Sequence, residues 1–356
     1  MTDSGSAFEG EKAMSREQWM TPKRRFLSGL FGGRVDRIPV GNPTSVATVE
    51  LMEETGTSFP DAHLDAKKMA ALAAGGHAIL GFDTIMPYFS VQVEAPALGC
   101  EVDWGDIETM PDCVTHPYKE AEDIILPTEE ELLKVHSIKA VVESIRILRE
   151  KFPDVAIIGK AMGPWTLAYH GFGVQNFLMD TILNPVKVRK SLEKLQEISI
   201  MFANLQVRAG ADAICFPDHA TGDLVSPDMY RDFLVPLHKK IVRRIGAPII
   251  LHICGNTLNR ARYILEEHFD CFHYDTKTDV RELKKVMGRG VSLVGGINNP
   301  ETLLFGTPDD VKKEAIFAAK AGVEILAPEC AIPLRTPNKN LKAIVEAAKE
   351  IELSHE

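Results

Sequence analysis

Short apolar runs rich in β-branched residues alternate along the chain with longer amphipathic segments. Gly, Pro, Asn or Asp bounds most of the apolar runs, which is typical of strands buried on both faces of a parallel sheet. The runs predict strands at residues 37–43, 84–90, 156–164, 213–219, 248–255, 271–275, 291–298 and 323–330.

The intervening segments repeat their apolar residues at helical spacing. The first helix is expected to begin with Thr21 as N-cap and Pro22 in its first turn. Further helices are predicted at Glu129–Lys151, Pro185–Ala209, Pro227–Ile245, Thr257–His268 and Asp309–Ala321. Strands and helices in this alternation predict an α/β fold, a (β/α)₈ TIM barrel, interrupted by an inserted hairpin within residues 91–117.

Composition indicates an ordinary globular chain of 356 residues, 45% hydrophobic and 25% charged. We expect one barrel domain over residues 21–356, preceded by a loose polar tail at residues 1–20. A formal net charge of −10 argues against nucleic acid as a partner. With no long apolar run, no signal peptide and six cysteines, a cytoplasmic protein without membrane spans or disulfides is expected.

Three soft metal ligands stand at predicted strand ends. His252 and Cys254 are two residues apart and therefore share one face of a strand. Cys330 follows another strand, and one imidazole with two thiolates suits Zn²⁺. Three protein ligands favour an open catalytic site over a structural one. The alternative is a buried cysteine beside a hydrogen-bonded core histidine.

Several segments resemble the methylcobamide:coenzyme M methyltransferases of the uroporphyrinogen decarboxylase superfamily. They are FLSGLFGGRVDRIPVGNP, AMGPWTLA, GADAICFPDHATGDLVSPDMYRDFL, HICGNT, GGINNPETLLFGTPDDVKKEA and LAPECAIPLRTPNKNLKAIVEAAK. The resemblance implies a uroporphyrinogen decarboxylase-like barrel with zinc at His252, Cys254 and Cys330 in its mouth. It also implies methyl transfer from a methylated corrinoid, carried by a corrinoid-binding protein, to a thiol such as coenzyme M.

Two positions depart from the family pattern. An acidic residue, typically Glu, can complete the zinc shell in this family, and here Asp275 stands at the matching strand end. Asp275 is interpreted as a zinc ligand, an orienter of His252 or a cap on the strand end. Decarboxylases carry an Arg-rich segment after the first strand, whereas GNPTSVATVELMEETG has no Arg. Tetrapyrrole decarboxylation is therefore the less favoured activity.

Other residues near the predicted mouth are candidates for contact with corrin or substrate. Trp165, Tyr169 and His170 could form an apolar wall for a flat macrocycle, or could pack in the core. Asp218 and His219 could contact corrin or substrate, or could cap a helix and pack a loop.

The segment from Gly296 to Asn298 could offer backbone N–H groups to an anion such as a sulfonate. The alternative is a Gly-rich turn that only begins the next helix. A basic side chain could hold the acceptor's polar tail instead, but the sequence does not identify it.

Three other functions stay open on the sequence alone. A related enzyme could take the methyl group from a small donor such as a methyl ether, or could use tetrahydrofolate as the acceptor. A tetrapyrrole decarboxylase is the second alternative. A zinc- or corrinoid-binding accessory protein without activity is the third.

Overall fold

A computed structural model describes residues 20–351 of the chain. The tail expected at residues 1–20 therefore lies outside the described residues, apart from Met20. Met20 is buried, and its carbonyl oxygen accepts a hydrogen bond from Arg25 Nη2 at 3.0 Å.

A curled parallel sheet of seven strands forms the centre of the structure. The strands of the described chain are β1 (Thr84–Ile85), β2 (Val102–Asp103), β3 (Asp112–Cys113), β4 (Ala156–Lys160), β5 (Ala213–Pro217), β6 (Ile249–Ile253), β7 (Cys271–Tyr274), β8 (Ser292–Ile297) and β9 (Ile325–Pro328). Their order in the large sheet is β1-β4-β5-β6-β7-β8-β9.

Val40 closes this sheet into a barrel. It forms a parallel bridge with Leu326 of β9, and its carbonyl oxygen accepts a hydrogen bond from Asp83 N, beside β1, at 2.7 Å. The predicted (β/α)₈ barrel is confirmed, with the strand predicted at residues 37–43 reduced to this single bridge.

Prolines shorten the first two predicted strands. Pro39 cannot donate to a neighbouring strand, and Gly41 lies so close to β1 that a Cβ there would be 2.5 Å from the side chain of Thr84. The strand predicted at residues 84–90 ends at Ile85, two residues before Pro87.

Helices surround the barrel in the predicted alternation. They are α1 (Pro22–Leu30), α2 (Val49–Thr55), α3 (Asp61–Leu64), α4 (Ala66–Ala78), α5 (Glu129–Leu132), α6 (His136–Lys151), α7 (Pro164–Phe172), α8 (Val174–Leu183), α9 (Pro185–Ala209), α10 (Pro227–Met229), α11 (Val235–Ile241), α12 (Ala261–Glu267), α13 (Val280–Met287), α14 (Pro308–Lys320) and α15 (Asn338–Glu350). Short 3₁₀ turns lie at Ala95–Leu98, Ala121–Asp123 and Leu258–Arg260, and π-helical turns at Tyr230–Leu234 and Asn299–Leu304.

Most predicted helix boundaries agree with the structure to within a few residues. Thr21 Oγ1 accepts a hydrogen bond from Arg24 N at 3.2 Å, which confirms the expected N-cap of α1. The helix predicted at Glu129–Lys151 is two helices, because the chain is extended at Val135 between them.

The inserted hairpin is present where the sequence predicted it. β2 and β3 pair antiparallel, with Val102 opposite Cys113. Within residues 20–351, none of the helices combines the length and apolar composition that a bilayer crossing requires.

Gly296 allows α14 to pack directly on β8. Its φ is 101°, and a Cβ built there would lie 2.5 Å from Cβ of Ala318 in α14. Gly296 therefore has a packing role between β8 and α14. This role is separate from any anion binding by its backbone N–H at the barrel mouth.

Replacing Gly296 with Ala is expected to lower the free energy of unfolding by about 2–4 kcal/mol, because the new methyl group overlaps Ala318 and the backbone is strained. Gly288→Ala is the matched control, since φ there is also positive, at 57°, but nothing lies within 4 Å. The control should lose only about 1 kcal/mol. Equal losses in urea denaturation would contradict the packing role.

Candidate metal centre

The side chains of His252, Cys254 and Cys330 converge in the barrel mouth. His252 is the fourth residue of β6, Cys254 directly follows that strand, and Cys330 lies two residues after β9. Their ligand atoms all lie within 4.8 Å of one another. His252 Nε2 is 3.1 Å from Cys254 Sγ and 3.5 Å from Cys330 Sγ, and the two sulfur atoms are 3.5 Å apart.

These distances fit a tetrahedral zinc ion. With bonds of about 2.3 Å to sulfur and about 2.0 Å to nitrogen, tetrahedral ligand atoms lie roughly 3.5–3.8 Å apart. The ligand atoms here are 3.1–3.5 Å apart, so they need to separate by only a few tenths of an ångström. One imidazole and two thiols leave the fourth position to a substrate or water.

A hydrogen bond on the far side of the ring sets the orientation of His252. Its Nδ1 is 3.1 Å from the carbonyl oxygen of His273 and donates to it, so that the Nε2 lone pair faces the sulfur atoms. The His273 ring lies against that of His252, with 4.5 Å between centroids. His273 Nε2 in turn donates to the Pro328 carbonyl at 2.7 Å, which links β7 to the strand that precedes Cys330.

His273 was missed by sequence reasoning. It pairs directly with His252 in the parallel register of β6 and β7, so an aligned reading of the two strands identifies it as a neighbour of this candidate ligand. Burial lowers the pKa of His273 to about 3, which keeps this supporting ring neutral.

The two thiols influence each other's ionisation. A hydrogen bond from the Cys254 thiol lowers the pKa of Cys330, and His252 acts in the same direction. The same interaction with Cys330 raises the pKa of Cys254. A divalent cation between the sulfur atoms would favour the thiolate form of both, as metal ligation requires.

Asp275 holds the loop that carries Cys254. Its Oδ2 accepts a hydrogen bond from Gly255 N at 2.8 Å, and its Oδ1 accepts one from Lys277 N at 2.9 Å. Its oxygen atoms are not in the cluster of ligand atoms formed by the two cysteines and His252. Asp275 therefore holds the backbone on both sides of its carboxylate and lies outside the three-residue cluster.

Glu329 positions the loop that carries Cys330, and it too was missed from the sequence. This buried carboxylate accepts hydrogen bonds from Thr276 N at 3.0 Å and Asn299 N at 2.9 Å. Asn42, from the first predicted strand, donates through Nδ2 to the Cys330 carbonyl at 3.0 Å.

Internal carboxylates and amides occupy the backbone donors after β8. Asn298 N donates to Glu314 at 3.1 Å, Asn299 N donates to Glu329 at 2.9 Å, and Glu301 N donates to Asn298 Oδ1 at 2.8 Å. Asn298 therefore caps the following turn, and these three N–H groups are already used within the protein.

Asp218 lies at the end of β5 in a fully buried polar network. Its Oδ1 accepts from Thr166 N at 2.9 Å, which caps α7, and its Oδ2 is 3.0 Å from His238 Nε2. His238 Nδ1 is 3.0 Å from Glu267 Oε1. Burial alone would lower the pKa of His238, but Glu267 and Asp218 outweigh it and raise the pKa to about 9.

The aromatic candidates lie on one helix beside this network. Trp165 is fully buried, whereas Tyr169 and His170 are each 7% exposed. Trp165 Nε1, Tyr169 Oη and His170 Nδ1 are buried polar atoms without a hydrogen-bond partner among the described residues. His219 is half-buried, and its backbone N–H donates to Thr166 Oγ1 at 2.9 Å. Burial lowers the pKa of His219, and His252 acts in the same direction.

Comparison with known proteins assigns a family to this barrel. The sequence model described as uroporphyrinogen decarboxylase (URO-D) matches residues 21–351. The chain belongs to the uroporphyrinogen decarboxylase family.

Methyltransferases of this family are among the proteins that this chain resembles. A methylcobamide:CoM methyltransferase MtaA from Methanosarcina barkeri is 38% identical over 93% of this chain and 98% of its own length. A methylated-thiol–coenzyme M methyltransferase from Methanosarcina mazei is 34% identical over 93% of this chain and 90% of its own. The resemblance to the methylcobamide:coenzyme M methyltransferases is thus confirmed.

A solved structure supports the same placement within the family. A methyltransferase from Methanosarcina mazei superposes with a TM-score of 0.90 at 36% identity, covering 93% of this chain and 99% of that one. The barrel described above is therefore the fold of a family member.

Zinc content tests the three-ligand site. Cys254→Ala and Cys330→Ala are each expected to lose most of the bound zinc, since either change removes a thiolate from the cluster. Cys271→Ala is the control, because this buried thiol of β7 is outside the cluster. Mass spectrometry of metal per chain provides the measurement, and full zinc in both variants would refute the ligand set.

His238 supplies the positive charge of the buried network with Asp218 and Glu267. His238→Phe should lower the free energy of unfolding by roughly 3–5 kcal/mol near pH 6, because it leaves the carboxylates of Asp218 and Glu267 without their cation. The folded-state pKa of His238, about 9, lies above its unfolded value of about 6.5. Its contribution is therefore fully present below pH 6.5 and is lost as the pH rises through 9.

The difference in stability between wild type and His238→Phe should consequently shrink between pH 6 and pH 9.5 in urea denaturation. His63→Phe is the control, because His63 is also fully buried but has no hydrogen-bonding partner among the described residues. Burial lowers the pKa of His63 to about 3, so the difference for this variant should instead increase slightly as the pH rises from 6 through about 6.5 and then stay constant, which is the opposite trend. A pH-independent difference for His238→Phe would contradict the ion pair.

Proposed function

We propose that this protein is a zinc-dependent methyltransferase that moves a methyl group from a methylated corrinoid to coenzyme M. The observation that carries the proposal is the cluster of His252, Cys254 and Cys330 in the barrel mouth. Its support is the 38% identity, over nearly the whole chain, to a protein named methylcobamide:CoM methyltransferase.

The protein's own residues prepare the site for an anionic sulfur nucleophile. Zinc, when bound, would keep the acceptor thiol as a nucleophilic thiolate at neutral pH. His252 would bind the metal through Nε2 as a neutral imidazole, with its proton on Nδ1 toward the His273 carbonyl, so that Cys254 and Cys330 together would balance a divalent charge. The acceptor sulfur attacks the methyl carbon as the carbon–cobalt bond breaks, and the electron pair of that bond stays with the corrinoid. Positioning is thus the main task of the protein.

In this proposal some candidate residues face the corrinoid, and the others hold the site in place. We assign Tyr169 and His219 to the surface that faces the corrinoid, since Tyr169 is 7% exposed and His219 is half-buried. Trp165 and Asp218 are fully buried and support that wall through packing and capping. Asp275 holds the Cys254 loop through its two backbone hydrogen bonds.

The partner and the compartment belong to the same proposal. A corrin ring is large, so we assign it to a separate corrinoid-binding protein that presents it at the mouth. All six cysteines are free thiols, which suits the reducing cytoplasm.

The methyl donor could also be a methylated thiol. One relative at 34% identity is named a methylated-thiol–coenzyme M methyltransferase, which favours testing this donor alongside methylcobalamin.

Steady-state turnover with free methylcobalamin tests the reaction. Zinc-loaded protein should demethylate methylcobalamin in the presence of coenzyme M, followed as the absorbance change of the corrinoid. Cys254→Ala should reduce the rate by at least about 100-fold, because the metal is lost from the site.

Further reactions complete the experiment. In two further reactions, dimethyl sulfide or a methyl ether replaces methylcobalamin as the methyl donor. In a third, tetrahydrofolate replaces coenzyme M as the acceptor. Lys134→Met, a change at an exposed surface ion pair, is the control variant. Activity only with a non-thiol acceptor, or no zinc dependence, would refute the proposed function.

A further inference from the structure

Lys160 is a buried cation inside the barrel. It ends β4 and is only 3% exposed. Its neighbour Gly159 faces outward, since a Cβ there would lie 2.8 Å from Gln206 of α9. Successive side chains alternate across a strand, so Lys160 points into the barrel. Gln206 also bonds the backbone N and O of Lys160, at 2.8 and 2.7 Å, which fixes its position.

The Lys160 ammonium lacks the partners that other buried cations have. Arg25 forms ion pairs with Asp36 and Asp83, and Arg260 donates to two backbone carbonyls. Lys160 Nζ forms neither a hydrogen bond nor an ion pair with any of residues 20–351. Its contact is the face of the Tyr88 ring, 4.2 Å from the centroid. A buried charge without an ionic partner is costly and commonly serves a ligand.

The buried carboxylate that acts electrostatically on Lys160, that of Glu94, is already engaged elsewhere. Glu94 accepts hydrogen bonds from the Tyr88 hydroxyl and from Met162 N, the latter at 2.8 Å. Burial raises the pKa of Glu94 to about 7, so it is partly protonated at neutral pH. Burial likewise lowers the pKa of Lys160 to about 8, although Cys215, Glu94 and Cys330 act in the opposite direction. Lys160 thus remains mostly protonated and available to an anion.

Strand register places Lys160 beneath the metal ligands. Lys160 pairs with Cys215 of β5, and Pro217, two residues further along that strand, pairs with His252. Strands advance about 3.3 Å per residue, so the Lys160 backbone lies roughly 7 Å below His252 in the barrel. A thiol bound at the open zinc position with its tail directed down the barrel would therefore bring that tail toward the ammonium group.

We propose that Lys160 binds the anionic tail of the acceptor thiol and thereby selects thiols that carry a terminal sulfonate close to the sulfur. The inference rests on the proposed function, in which the acceptor sulfur binds at the zinc position. It assigns the tail to the basic side chain that the sequence could not identify. The backbone donors at Asn298 and Asn299 are engaged within the protein and leave this task to Lys160.

Comparison of acceptor thiols tests this role. The thiols are 2-mercaptoethanesulfonate, 3-mercaptopropionate, 2-mercaptoethanol and cysteamine, each with methylcobalamin and zinc-loaded protein. In Lys160→Met, the ratio of kcat/KM for the sulfonate thiol to that for 2-mercaptoethanol should fall by about tenfold or more, mainly through KM. Lys160→Arg keeps the charge and should retain part of the preference. Lys134→Met, at the surface, should behave as wild type.

Two outcomes would overturn the inference. An unchanged ratio shows that Lys160 does not contact the tail. An equal loss for all four thiols shows that it only balances charge at the metal or supports the barrel. Melting temperatures of the variants monitor folding, and Lys160→Met should not lower them, since no ion pair is broken.

Direct binding separates this inference from the proposed reaction. Ethanesulfonate, which has no thiol, is titrated calorimetrically into wild type and both Lys160 variants. Weaker binding to Lys160→Met by about tenfold supports the tail site even if wild type turns over no thiol. Equal affinities overturn it even if the methyl transfer is established.

Discussion

Closure of the barrel is the constraint on which the metal site depends. Cys330 follows β9 while His252 and Cys254 end β6, and two strands separate β6 from β9 in the sheet. In a flat sheet, strands about 4.8 Å apart would hold these side chains roughly 14 Å from one another. Only the curvature of a closed barrel brings their ligand atoms to within 4.8 Å.

Supporting hydrogen bonds fix each ligand once closure has brought it near. The carbonyl of His273 orients the imidazole, Asp275 holds the amide after Cys254, and Asn42 and Glu329 hold the two sides of the Cys330 loop. His273, Asp275 and Asn42 come from strand ends other than those of the ligands they support, and Glu329, next to Cys330, is bonded to the ends of β7 and β8. The geometry of the site is therefore a property of the whole barrel mouth.

Residue pattern was sufficient to predict the barrel and the convergence of His252, Cys254 and Cys330, because both follow from strands and their ends. The HxC spacing and the isolated Cys330 needed only the two-residue repeat of a strand. The surroundings of His273, Glu329 and Lys160 depend on which strands are neighbours in the sheet and on which residues of those strands pair. Lys160 is also a charged residue inside an apolar run of the sequence. The sequence does not show whether such a residue has an ionic partner, and the structure does.

Val40 gives the barrel a seam with a further consequence. Between β9 and β1 the wall is completed by one bridge and a few hydrogen bonds around it, whereas the other junctions are ladders of paired residues. β9, one border of that seam, is followed directly by the loop of Cys330. A metal ion bound to Cys330 and His252 would therefore cross-link one border of this seam to β6, on the opposite side of the barrel. Binding of the metal would then also stabilise the closed barrel, and loss of the metal would destabilise it.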